Sequence, residues 1–228
     1  MIPITKYGFP QVVVYPLITI VLMIIIFCLK KYMPQPVMWT LFSIAAIIFI
    51  WELSFFRDPP RKVPTGNDFL ISPADGKITV AEVVDDERFE GGKAFRISIF
   101  LSVFNVHVNR MPAKCVVENI TYKPGKFINA LDADCAKVNE ANEVTVRMLN
   151  EPGYKLIIRQ VSGAIARRIV CDAMEGDEFE CGQKFGMIKF GSCTEIYMPA
   201  GDNFKCLVKP GDKVRAGLNK LIEFDLEG

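Results

Sequence analysis

Two uncharged apolar runs stand in tandem at the front of the chain: residues 12–29, 18 in a row, and residues 32–51, another 20. A helix needs about 20 apolar residues to cross a hydrocarbon core, so both runs are expected as bilayer helices, over about 11–29 and 36–55. A cleaved secretory signal is the alternative, and the tandem arrangement, the missing small-residue cleavage site and the length of the first run count against it. The turn between them, residues 30–36, is short, so residues 1–56 read as a hairpin with both ends on one side. Lys6, Arg57, Arg61 and Lys62 flank it, against Lys30 and Lys31 in the turn. That excess places the ends, and the domain that follows, on the cytoplasmic side of a cell membrane. Pro16, Pro34 and Pro36 leave open a hairpin that dips into one leaflet without crossing.

The remaining chain, residues 57–228, behaves differently. It opens on "FFRDPPRKVPTGNDFL", a connector whose prolines block both helix and central strand. Of the 27 basic and 26 acidic residues, 24 and 25 fall from Arg57 onward. This neutral balance argues against a nucleic-acid partner, because phosphate-backbone binding wants a basic excess. The seven cysteines have no paired spacing, so neither a disulfide framework nor a zinc site is expected, and a reducing cytoplasm fits. One histidine in the chain excludes a histidine-rich metal centre but leaves oxygen-only sets of Asp and Glu open, and no metal is assigned.

Beyond the connector the apolar pattern has period two. "AFRISIFL" puts Phe95, Ile97 and Ile99 on one face, and "EVTVRML" does so with Val144, Val146 and Met148. "YKLIIRQV", "TEIYMP" and "KLIEFDL" are further short strands, divided by turn signals such as Asp75-Gly76, Gly91-Gly92, Glu151-Pro152-Gly153 and Pro210-Gly211-Asp212. Short strands at this spacing predict a mainly β domain, a sandwich or barrel, with few short helices. "GAIARRIVCDAM", residues 163–174, has the three- and four-residue spacing of a helix. Residues 71–83 and 207–224 share a rhythm of Pro, an acid beside Gly, then Lys and a strand, which resembles the turns of barrel-sandwich hybrid domains.

One dipeptide carries chemistry. Gly191-Ser192 is the only Gly-Ser pair, set between an apolar run and a strand; chance alone supplies such a pair often, so context decides. A serine hydroxyl is a weak nucleophile until a base takes its proton, and a preceding glycine leaves its own carbonyl unshielded. Ser192 can therefore attack the Gly191 carbonyl, turning the peptide into an ester whose acyl group leaves by β-elimination. The resulting dehydroalanine hydrolyses to ammonia and a pyruvoyl group. His107, in "FLSVFNVHVNRMP", is the one side chain of the chain with an ordinary pKa near neutrality; taken alone it reads more readily as an inert, hydrogen-bonded strand histidine. Asp75, in "SPADGK", reads alone as an ordinary Asp-Gly turn.

Together "SPADGK", "FLSVFNVHVNRMP", "YKPGKFINA", "SGAIARRIV" and "FGMIKFGSCTEIYMP", in this order behind a hydrophobic hairpin, resemble the short, membrane-bound class of phosphatidylserine decarboxylases. The resemblance covers nearly the whole chain. It implies a self-cleaving proenzyme, cut between Gly191 and Ser192 into a β chain, 1–191, and an α chain, 192–228, that stay together as a heterodimer, with a higher homo-oligomer left open. It implies that Ser192 becomes the pyruvoyl cofactor, which takes the lipid's amine as a Schiff base and accepts the electrons left by departing carbon dioxide. Asp75 matches the aspartate of the family's Ser-Pro-x-Asp-Gly segment, and His107 the first of two histidines found in longer members. The second falls on Arg110, so either His107 serves both cleavage and decarboxylation or Asp75 assists cleavage without it.

The implied reaction turns phosphatidylserine into phosphatidylethanolamine, a step of phospholipid biosynthesis, with Arg167 and Arg168 as candidates for the lipid phosphate. A related serine-headed lipid such as archaetidylserine is the alternative substrate. The rival reading is a non-enzymatic, membrane-tethered carrier or adaptor domain, with Lys189 of "GMIKFG" in the place of a modified lysine.

Overall fold

A computed structural model describes residues 3–128, 138–163, 168–189 and 192–226, which form two compact units, Met1–Pro60 and Arg61–Gly228. In the first unit, α1 (Gln11–Cys28) leads through a 3-10 turn, Leu29–Lys31, into α2 (Gln35–Phe55). Pro36 sits in the first turn of α2, where a missing N–H costs nothing. The stretches Gln11–Lys31 and Gln35–Phe55, 21 residues each, reach mean hydropathies of 3.0 and 1.8 across 18 residues, long and apolar enough to cross a membrane. Leu17, Ile18, Val21, Ile47 and Ile50 turn outward. The two helices are pinned by the Thr19 hydroxyl, within 3.0 and 3.1 Å of the two Glu52 carboxylate oxygens.

The second unit is almost entirely β. Its strands are β1 (Phe69–Ile71), β2 (Gly76–Asp85), β3 (Lys93–Leu101), β4 (Val108–Arg110), β5 (Cys115–Lys123), β6 (Ala141–Met148) and β7 (Lys155–Val161). There follow β8 (Arg168–Cys171), β9 (Glu178–Phe179), β10 (Lys184–Lys189), β11 (Ser192–Pro199), β12 (Phe204–Cys206), β13 (Lys213–Val214) and β14 (Lys220–Phe224). An eight-stranded sheet runs in the order β13-β2-β3-β11-β7-β6-β5-β9, beside three-stranded sheets β4-β10-β8 and β1-β14-β12. Every pairing among these strands is antiparallel.

Period-two alternation explains the core. Ile97 and Ile99 of β3, Val144 and Val146 of β6, Leu156 and Ile158 of β7, and Ile196 and Met198 of β11 meet in one apolar cluster, with Phe95 packed against it. The opposite face of β11 and β7 carries charge. Glu195, fully buried, accepts from Ser98 and Tyr197 at 2.8 Å each and lies 3.4 Å from an Arg159 guanidinium nitrogen. Burial, and then the charge of Glu195, push the Tyr197 phenol above its ordinary range.

The rhythm shared by residues 71–83 and 207–224 becomes a mutual embrace. β1 pairs with β14 and β2 with β13, while Ile78 N donates to Asp212 O and Gly211 N returns a bond to Ile78 O, each at 2.8 Å. Gly76, the second half of the Asp75-Gly76 turn signal, begins β2. A Cβ there would run into the Phe100 carbonyl oxygen and meet Ile99 Cγ2 at 2.8 Å. Overpacking of this kind costs about 1–3 kcal/mol, so Gly76→Ala is expected to lower stability by that amount in urea denaturation. An unchanged midpoint would show that β3 gives way freely.

One expectation is overturned. The helix predicted over 163–174 is a strand at Arg168–Cys171, paired with β10 from Gly186↔Cys171 to Lys189↔Arg168; positions 164–167 lie outside the described residues. Short apolar runs fit either period. Here β-branched Ile169 and Val170 and the open edge of β10 favour the extended form.

Candidate active site

The core face of the large sheet changes character along its length. On β11, Met198 and Ile196 give way at the same parity to Thr194 and Ser192; on β7, Leu156 and Ile158 give way to Gln160; on β6, Met148, Val146 and Val144 give way to Asn142. Because alternate residues share a face, the sheet carries a polar end on its core side. Thr194 lies opposite Gln160, and Asn142 on the other side of Gln160. All three are buried.

A chain of amides closes this polar end. Asn109 of β4 donates through Nδ2 to Thr194 Oγ1 at 3.1 Å, and its Oδ1 accepts from Gln160 Nε2 at 2.9 Å. Gln160 Oε1 in turn accepts from Asn142 Nδ2 at 3.2 Å. The network ties β4, β6, β7 and β11 together with its donors and acceptors used, as a buried polar cluster requires.

Two hydroxyls beside it are left out. Ser192 and Ser162 are fully buried, and neither Oγ has a hydrogen-bond partner among the described residues. An unsatisfied buried hydroxyl costs about 1–3 kcal/mol, so a fold that keeps two of them at one place concedes stability there. Gly191, the other half of the dipeptide, lies outside the described residues, as does Arg167.

His107 stands directly before β4, fully buried. Its carbonyl accepts from the N–H of Ile188 on β10 at 3.3 Å, and Ile188 is four residues upstream of Ser192 in sequence. Nδ1 lies 3.0 Å from the Asn105 carbonyl. A carbonyl can only accept, so Nδ1 carries the proton and in the neutral ring Nε2 presents the lone pair.

Asp75 reaches the same end of the sheet by strand register. Lys77 pairs with Phe100, which pairs with Cys193, so the start of β2, the end of β3 and the start of β11 coincide. The Asp75 carboxylate is gripped by Arg61 from the connector at 2.5 and 2.8 Å, and Oδ1 also accepts from Ala216 N at 2.8 Å. Arg61 further donates to the Ala216 carbonyl. Arg110, where longer members of the resembled class have their second histidine, donates to Gly182 O at 2.9 Å.

Arg168 opens β8 and is exposed, opposite Lys189 on β10. Burial and the nearby Arg168 charge hold the Lys189 amine below its ordinary pKa. With only 2% of its surface exposed, Lys189 is poorly placed for the modified lysine of a carrier, which has to be reached from solvent. Among the described residues no group of three His, Cys, Asp or Glu side chains could hold a metal ion.

Strand register thus brings Ser192 and Asp75 to one end of the large sheet, and His107 stands two residues before Asn109, which bonds Thr194 of β11. Ser162, Asn109 and Thr194 lie inside the segments that carry the family resemblance without a role there, and Arg61, Gln160 and Asn142 lie outside them. A signal for several of them was present: Gln160, Asn142 and Thr194 occupy the inward parity of their strands, where an apolar residue is the rule. Arg61 left none, since a connector arginine looks solvated.

A buried polar cluster inside a β domain thus lies beside a serine at a strand start. A family model described as phosphatidylserine decarboxylase matches residues 48–221. Proteins named phosphatidylserine decarboxylase proenzyme are similar along most of their length. The one from Symbiobacterium thermophilum is 42% identical over 179 residues, 78% of this chain and 81% of that protein. Those from Rhodopirellula baltica and Chlorobaculum tepidum are 39% and 40% identical, covering 95% and 94% of this chain and 86% and 94% of theirs. The chain belongs to the phosphatidylserine decarboxylase family.

Proposed function

We propose that this chain is a self-processing proenzyme that converts Ser192 into a pyruvoyl group and decarboxylates phosphatidylserine to phosphatidylethanolamine. The observation that carries the reading is the Ser192 hydroxyl, fully buried without a partner among the described residues, at the polar end of an otherwise apolar sheet face. Such a site fits the group: it is shielded from water and lined by hydrogen-bonding side chains.

In the cleavage, Ser192 Oγ attacks the Gly191 carbonyl carbon and gives up its proton, the C–N bond breaks, and the nitrogen takes up a proton, leaving an ester. Loss of the Ser192 Cα proton then expels the Gly191 carboxylate, and the dehydroalanine left behind takes water and releases ammonia. The α chain, 192–228, is retained without a covalent link: β11 is paired with β3 along all eight of its residues and with β7 along five, and its Ile196 and Met198 pack in the main apolar cluster.

A pyruvoyl group at position 192 supplies the ketone that draws off the electrons left when carbon dioxide departs. His107 is assigned the proton delivered to the substrate Cα, and Asp75 the cleavage step, with its carboxylate held by Arg61 and Ala216. Arg168, with Arg167, is assigned the lipid phosphate, to which guanidinium groups form paired hydrogen bonds. The apolar helices anchor the chain in the cell membrane with the β domain on the cytoplasmic side. Anchoring spares the lipid full extraction, which costs about 0.8 kcal/mol per exposed CH₂.

Mass spectrometry of the purified protein tests the reading: an α chain beginning at position 192 with a ketone in place of its amine, together with ethanolamine lipid formed from phosphatidylserine vesicles. Intact chain with full activity would refute it. His107→Ala is expected to lower decarboxylation by a factor of about 10²–10⁴, the usual share of a general acid, in protein whose cleavage is followed separately on a denaturing gel. Wild-type turnover by cleaved His107→Ala protein would remove His107 from the reaction.

A further inference from the structure

The second unpartnered hydroxyl has a definite place. Ser162 N donates to Glu140 O at 2.9 Å, which carries the β6–β7 ladder one residue past its last pair, Ala141 with Val161. Asn139 Nδ2 clamps the Ser162 carbonyl at 2.8 Å from the same side. Ser162 therefore continues the line of β7. On the other side of β7, Cys193 faces Val161, so one further step in register sets Ser162 beside Ser192.

Side-chain parity completes the placement. Ser162 shares a face with Gln160, Ser192 shares a face with Thr194, and Gln160 and Thr194 are a cross-strand pair joined through Asn109. Both serine hydroxyls thus lie on the core side, next to each other across two strands, where opposed Cβ atoms stand about 4.5–5.5 Å apart. That separation lets one rotamer change bring the two oxygens within hydrogen-bond distance. The neighbouring amides cannot supply the partner as readily, because Asn109 and Gln160 already spend their groups on Thr194, Val170 and each other.

We propose that Ser162 is a positioning residue for self-cleavage: its hydroxyl hydrogen-bonds Ser192 Oγ and aims it at the Gly191 carbonyl for the acyl shift. This rests on Ser192 being the cleaving serine. The bonds that form and break are those of the shift itself, Oγ–C for C–N, with the Oγ proton leaving and the amine gaining one; Ser162 orients the attacking oxygen and is unchanged afterwards.

The test is a time course of cleavage of freshly made full-length precursor in detergent, for wild type, Ser162→Ala, Ser162→Thr and Ser192→Ala. Ser162→Ala is expected to cleave at least tenfold more slowly, and Ser162→Thr, which keeps the hydroxyl, to recover a large part of the rate. Hydroxylamine separates the steps, since it cuts an accumulated ester: with the shift impaired, Ser162→Ala yields little hydroxylamine-released 192–228 fragment. The melting temperature of Ser162→Ala in the Ser192→Ala background is expected to be no lower than that of Ser192→Ala alone, because the deleted hydroxyl has no partner to lose among the described residues. Wild-type cleavage by Ser162→Ala, or rapid release of its fragment by hydroxylamine, overturns the role of Ser162 while leaving Ser192 in place. A wild type that never cleaves overturns both.

Discussion

Ser192→Ala leaves the chain whole at 25.6 kDa, with no 192–228 fragment and no carbon dioxide released from phosphatidylserine. The effect is expected to be complete, since the hydroxyl oxygen is needed twice. It is the nucleophile that displaces the Gly191 nitrogen, and it is the leaving oxygen whose departure creates the double bond at position 192. Alanine offers neither, whereas threonine or cysteine would retain a nucleophile. The fold should survive the change. Ser192 Oγ makes no hydrogen bond among the described residues, so its removal abandons no partner, and the backbone of β11 keeps its ladders to β3 and β7. A circular dichroism spectrum and melting temperature matching the precursor, beside a single band on a denaturing gel, are the expected results. Cleavage in Ser192→Ala protein would place the cut elsewhere and end the mechanism.

Arg61→Ala is expected to be the most damaging substitution outside the dipeptide. Arg61 and Asp75 are both nearly out of solvent, with side chains 5% and 10% exposed, and the guanidinium meets both carboxylate oxygens. Removing one member of such a pair leaves an uncompensated buried charge and costs about 3–5 kcal/mol. Measured by urea denaturation in the uncleavable Ser192→Ala background, the loss should fall in that range. Asp75→Asn added to Arg61→Ala should recover part of it, since the orphaned charge is then gone. Arg61 also donates to the Ala216 carbonyl, and Ala216 N–H to Asp75, so the same loss loosens the β13–β14 turn from the start of β2. Cleavage of the otherwise wild-type Arg61→Ala chain is therefore expected to slow as well. A loss below 1 kcal/mol would mean that the pair is solvated in solution and that Asp75 is held by the turn alone.

How far the site could be read in advance varied by residue. The Gly-Ser step, the histidine and the Ser-Pro-x-Asp-Gly segment were legible because each belongs to a short string of residue types that few chains repeat in that order. Arg61 was not, because nothing in "RDPPRKVP" distinguishes an arginine in water from one folded back on a carboxylate 14 residues later. Ser162 is a similar case: in "QVSGA" it reads as a strand-end residue, and only the register of β7 against β11 sets it beside Ser192. The segment at Arg168–Cys171 shows the reverse error, a helical spacing that the free edge of β10 turned into a strand.

The amino-acid order by itself determined the apolar hairpin, the β character of residues 57–228 and the choice of Ser192 as the candidate serine, because hydrophobic run length, two-residue alternation and dipeptide chemistry are local properties of a chain. The tertiary structure alone decided which polar side chains surround that serine. Those neighbours come from β4, β6 and β7, far apart in sequence, and hydrogen-bond partnership at 3 Å depends on strand register, where a shift of one residue turns every side chain to the other face.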